Sequence, residues 1–74
     1  MNIEVKCFAT LSCHSPQGNT LEMPEGTTVA QVMTRLGIAE EDVKIIFING
    51  LHVDTDALLN TGDRLGLFPA VGGG

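Results

Sequence analysis

One stretch of this chain has a helical period, and that stretch limits the folds available to it. In TTVAQVMTRLGI, Val29, Val32, Met33 and Leu36 fall at i, i+3, i+4 and i+7 and make one apolar stripe. Thr28 stands where an N-cap belongs, and Gln31 completes a capping box. Gly37 takes the left-handed position past the last turn, with Ile38 as the apolar residue that accompanies it. The spacing predicts a helix over 28–36. The other patterned segments alternate with period two. A lone helix must bury its stripe against a sheet, and it can cover only one face of that sheet.

The strands follow from the alternation. NIEVKCFA predicts a strand over 2–9, with Ile3, Val5, Cys7 and Ala9 on the inward face and Glu4, Lys6 and Phe8 on the other. CHSPQGN is a turn segment, and NTLEMP reads as a second short strand joined to the first as a hairpin, with Leu21 and Met23 on one face. EED at 40–42 is a polar turn. VKIIFING is apolar on both faces, Val43, Ile45 and Phe47 on one and Ile46 and Ile48 on the other, which predicts a strand that is central or covered on both sides. Asn49-Gly50 is a two-residue hairpin signal, with LHV as the returning strand. DTDALLNTGDR is rich in turn formers and has room for one helical turn around Asp56–Leu59. RLGLFPAV alternates again, with Leu65 and Leu67 on one face and Gly66 and Phe68 on the other, until Pro69 interrupts the pairing. The order predicts an α+β roll with one main helix on a mixed sheet of four or five strands. Phe8, Phe68 and one set from Ile45–Ile48 either lie on the uncovered face, where an apolar patch implies a partner, or wrap the sheet edges and the core. The pattern leaves both readings open.

Composition narrows the function. Seventy-four residues make one small domain. Nine acids against four bases leave a net charge of -5, with no Lys/Arg stripe to neutralise phosphates, so nucleic acid is not an expected partner. A partner with a basic surface suits this charge. No apolar run nears the roughly 20 residues of a membrane span. MNIEVKCFATL does not read as a signal peptide, and a cytoplasmic chain without a membrane partner is expected. Cys7 and Cys13 then read as plain thiols. Cys7, Cys13, His14 and His52 fit no standard zinc spacing, and the Cys13–His14 neighbours lack an orienting acid for nucleophilic work. Glu40, Glu41 and Asp42, like Asp54 and Asp56, read as solvated turns, and no phosphate-binding loop is present. No catalytic residue, metal or cofactor is expected in the body of the chain.

What remains is FPAVGGG. Three glycines add backbone entropy cost and no packing, so they do not serve stability. The tail is either a frayed end or a device for presenting its carboxylate. A carboxylate becomes reactive once ATP converts it to an acyl-adenylate, which sulfur or an amine can attack. Only residues without a β-carbon fit a channel one backbone wide. This reading divides the chain into a folded domain over 1–71 and a flexible tail over 72–74.

The stretches VKCFATL, LEMPEGTTVAQVMTRLG, VKIIFINGLHV and GDRLGLFPAVGGG, in that order and spacing, resemble the MoaD/ThiS family of prokaryotic sulfur carriers, which are ubiquitin-like β-grasp proteins. The resemblance covers essentially the whole chain, and SCHSP departs from the charged or long polar stretch common in relatives. It implies that Gly74 is adenylated by a ubiquitin-activating-type adenylyltransferase and converted to a thiocarboxylate. Gly73 is its obligatory neighbour, and Gly72 is permissive. It further implies a partner-binding face that includes Phe68, Pro69 and Val71, to which the open-face reading adds Phe8. Phe68-Pro69 before the tail favours the small-subunit type of molybdopterin synthase, whose tail enters a larger catalytic subunit. A carrier for thiazole synthesis and a carrier for another sulfur-containing metabolite or tungsten-pterin assembly share the tail chemistry. A ubiquitin-like protein modifier and a purely structural interaction module are alternatives of another class.

Overall fold

The computed structural model describes residues 1–70. Five strands, β1 (Asn2–Cys7), β2 (Thr20–Glu22), β3 (Val43–Ile48), β4 (Leu51–Val53) and β5 (Arg64–Pro69), form one mixed sheet in the order β2-β1-β5-β3-β4. β1 and β5 run parallel at its centre, and every other pairing is antiparallel. One helix, α1 (Val29–Leu36), crosses a single face. The expected α+β roll is the observed architecture.

The helix forms for the reasons written in its ends. Thr28 Oγ1 accepts from the Gln31 N–H at 3.3 Å, and Gln31 Oε1 accepts from the Thr28 N–H at 2.9 Å. Gly37 closes it with φ +77, where a side chain would be strained. Val29, Val32 and Met33 have no exposed surface and meet Ile3, Val5, Leu65 and Leu67 in one core. Asn49 and Gly50, at φ 53 and 82, make the tight turn that brings Leu51 opposite Ile48.

Two expectations change. The first strand stops at Cys7, because Ala9 sits at φ 51 and turns the chain into a 3-10 helix over Ala9–His14. That helix delivers Leu11 to the core. Ile3, Val5, Cys7, Ala9 and Leu11 keep one parity, so alternation alone reads through the bend. The helical turn expected around Asp56–Leu59 is absent. A turn at Thr55-Asp56, closed by the Ala57 N–H donating to the Asp54 carbonyl at 3.1 Å, leads instead into an antiparallel bridge between Leu58 and Thr28, and the segment serves the start of α1. The Val29 N–H donates to the Ala57 carbonyl at 3.0 Å and the Ala30 N–H to Thr55 at 2.9 Å, while the Leu59 N–H donates to Thr27 at 3.0 Å. The first two bonds satisfy donors that a helix start leaves without partners. Of the two alternatives for β3, the first holds: it is an interior strand between β5 and β4, covered on one face only, since Ile45 is 37% exposed while Ile46 is buried. A register irregularity between Val43 and Ile45 lets Val43 pack against the core despite its parity.

Candidate functional site

The face that α1 leaves uncovered carries all three aromatic residues. Parallel pairing sets Cys7 opposite Leu67, and the Phe8 N–H continues the ladder by donating to the Leu67 carbonyl at 3.1 Å. Phe8 and Phe68 therefore stack, with ring centroids 4.2 Å apart and an interplanar angle of 4°. Phe47 pairs with Gly66 across β3 and β5 and meets Phe68 edge-on, at 5.7 Å and 88°. His52, opposite Phe47 on β4, tilts against that ring at 5.9 Å. The aromatics thus neither wrap the edges nor enter the core.

Gly66 lies between these rings. A Cβ built there would stand 3.7 Å from both Phe8 Cε2 and Phe68 Cε1, and its absence leaves a groove of ≈ 360 Å³. Lys6, Arg64, Leu65 and Gly50 complete its lining. A polar clamp fixes the Arg64 end. Asn49 Oδ1 accepts from the Arg64 N–H, Asn49 Nδ2 donates to Asp63 Oδ1, and Asp63 Oδ2 accepts from the Asn60 N–H, all within 2.9 Å. The Thr61-Gly62-Asp63 turn is therefore structural.

The sequence residues expected to bind a partner divide among three places. Phe8 and Phe68 are together on the open face. Pro69 is half-buried at the end of β5, paired with Val43 and turned by strand alternation away from Phe68. Val71, Gly72, Gly73 and Gly74 lie outside the described residues, as does the boundary expected at 71 and 72. The chain reaches them from Ala70, whose N–H donates to the Asp42 carbonyl at 3.1 Å. Phe47 comes from the Ile45–Ile48 set offered for this face, whereas Lys6, Gly66 and Arg64 carry no site signal of their own in the sequence. The available signal was parity, since Lys6 shares that of Phe8 and Gly66 that of Phe68.

The remaining candidates stay apart. His14 Nδ1 lies 3.3 Å from the Leu36 carbonyl at the end of α1, away from His52 on the open face. Among the described residues no three His, Cys, Asp or Glu side chains converge on a possible metal position. Cys7 and Cys13 are free thiols, Cys7 buried and Cys13 exposed. Burial pushes the Cys7 thiol up, partly opposed by its hydrogen bond with Ser15. Among the described residues no helix is long and apolar enough to cross a membrane.

Comparison with known proteins identifies the family. The model of the ThiS family matches residues 5–74, nearly the full length. The chain is a member of the ThiS family. Members are carriers and not catalysts, and the chain is a sulfur carrier of the ThiS/MoaD type. Carriers of the family work with ubiquitin-activating-type enzymes. No curated protein matches the chain significantly. Among solved structures, it is similar to a candidate molybdopterin converting factor, subunit 1, from Pyrococcus furiosus. That similarity has 28% identity and a TM-score of 0.74 and covers 96% of this chain and 99% of that one. It is also similar to SAMP1 from Haloferax volcanii, with 23% identity, a TM-score of 0.70 and full coverage of both chains. A second structure of small archaeal modifier protein 1 from H. volcanii matches at 22% identity and a TM-score of 0.72, over 95% of this chain and 98% of that one. The H. volcanii likenesses speak to the fold alone, a ubiquitin-like β-grasp.

Proposed function

We propose that the chain carries sulfur on Gly74 for assembly of a molybdopterin-type cofactor. The observation that carries this reading is the extent of the family match, which runs to the last glycine. The Gly74 carboxylate attacks the α-phosphorus of ATP and expels pyrophosphate. Hydrosulfide supplied by the activating system then attacks the acyl carbon, expels AMP and leaves the thiocarboxylate. The molybdopterin branch draws support from the P. furiosus likeness and from Phe68-Pro69 ahead of the tail. The aromatic face is the docking surface for the activating enzyme and for the larger synthase subunit. Its large apolar side chains are of the kind that dominate protein interfaces.

ATP–pyrophosphate exchange with the cognate activating enzyme tests the carrier chemistry. Removing Gly74 withdraws the carboxylate by one residue's reach, about 3.5 Å, far outside reactive geometry. Exchange should vanish on deleting Gly74 or placing a bulky residue at Gly73, with the melting temperature unchanged. Full exchange by the deletion variant would refute the reading. Intact mass from the source cell then shows whether oxygen has been replaced by sulfur on the chain itself. Restored cofactor synthesis in a strain lacking the small synthase subunit separates the molybdopterin branch from a thiazole branch.

A further inference from the structure

The groove over Gly66 is apolar but not electrically neutral. Alternation along β1 puts Glu4, Lys6 and Phe8 on the same open face. Arg64 Nε lies 3.2 Å from Glu4 Oε2, so those two charges cancel locally. The Lys6 ammonium stands 5.4 Å from the centre of the Phe8 ring and has no carboxylate within ion-pair distance among the described residues. The groove is thus bordered by one uncompensated positive charge on a chain whose net charge is -5. A polyanion would meet that overall field and Glu4, whereas a single carboxylate needs only the one cation. The groove floor at Gly66, walled by Phe8, Phe47 and Phe68, has room for a large apolar side chain.

We propose that the groove receives one large apolar side chain of a protein partner and that Lys6 pairs with a carboxylate flanking it. The inference rests on the carrier reading and takes the activating enzyme as that partner. The apolar side chain displaces water from beside Lys6, which strengthens the ion pair relative to an exposed one. Lys6 is then a specificity determinant, because a partner presenting a cation at this position is repelled.

The test is the KM for the carrier in ATP–pyrophosphate exchange with the purified cognate activating enzyme. Lys6→Glu should raise KM by about tenfold or more at low salt, Lys6→Met by less, and both with the maximal rate within about twofold. The Lys6→Glu penalty should shrink near 1 M salt, where the screening length falls to about 3 Å. Gly66→Leu fills the groove and should raise KM at either salt. Its backbone is outside the left-handed region and a Cβ there meets only ordinary contacts, and far-UV circular dichroism checks that the fold is kept. Unchanged KM in both Lys6→Glu and Gly66→Leu, with exchange by the native chain intact and still dependent on Gly74, overturns this inference and leaves the carrier reading standing. A salt-independent penalty for Lys6→Glu overturns the ion pair. No exchange by the native chain removes the carrier reading and this inference with it.

Discussion

Leu67 and Phe68 are neighbours on β5 that point to opposite sides of the sheet, so truncating each should break a different property. Leu67 has no exposed surface and lies in the core with Val5 and Val29. Leu67→Ala removes about three buried methylene equivalents, worth about 2.4 kcal/mol at roughly 0.8 kcal/mol each. The cavity left beneath α1 raises the loss to about 3–4 kcal/mol. A domain of 74 residues is stable by roughly 4–11 kcal/mol, so the variant is marginal. Its melting temperature should fall by roughly 12–32 °C. Phe68→Ala loses the stack on Phe8 and the edge contact with Phe47, each worth about 0.5–1.5 kcal/mol. The ring is partly exposed, so some lost burial adds to these pairs, the total is about 2–3 kcal/mol, and the fold persists. The same change should weaken binding to the activating enzyme by about 1–3 kcal/mol. Thermal melts followed at 222 nm suit a chain without Trp or Tyr, and titration calorimetry gives the affinity. If Phe68→Ala destabilises the protein as much as Leu67→Ala and leaves affinity unchanged, Phe68 is a core residue and the two-sided account of the sheet is wrong.

Other outcomes follow from single features. Thr28→Ala removes the hydroxyl half of the capping box and should cost about 0.5–2 kcal/mol in denaturant unfolding. Val32→Asp places an unpaired carboxylate where the wild-type side chain has no exposed surface, and the purified variant should show no cooperative melt. Gly37→Ala forces a side chain into φ +77 and should cost about 1–2 kcal/mol, with Gly37→Asn milder. The Cys7 thiol is raised on folding, so the folded state holds that proton more tightly than the unfolded one. The resulting stability is present below the ordinary thiol range and is lost as pH rises through the folded value. Unfolding midpoints measured on the alkaline side should therefore decline more steeply for the native chain than for Cys7→Ala, and iodoacetamide should label Cys13 well before Cys7.

Local chemistry was enough to write much of this protein in advance. Thr28, Gln31 and Gly37 act within one turn of where they stand, so both helix ends are legible in the sequence. Asn49-Gly50 makes its turn through its own backbone preferences, and parity along β5 separates Leu67 from Phe68 before any partner strand is known. The family resemblance lies in short stretches of that same local kind. The rest depends on contacts distant in sequence. Ala9 could continue a strand or bend, and the burial of Leu11 decides for the bend. The segment after β4 forms a turn at Thr55-Asp56 and no helix, because its Thr55 and Ala57 carbonyls serve the N–H groups of Ala30 and Val29, 25 and 28 residues back in the chain. The groove exists only because parallel pairing of β1 with β5 sets Phe8 beside Phe68, and antiparallel pairing with β3 sets Phe47 across from Gly66. Each strand's own pattern says which side a residue faces, but register between strands says which residues meet. Register is set by how the whole sheet packs under α1, and that is a property of the tertiary structure alone.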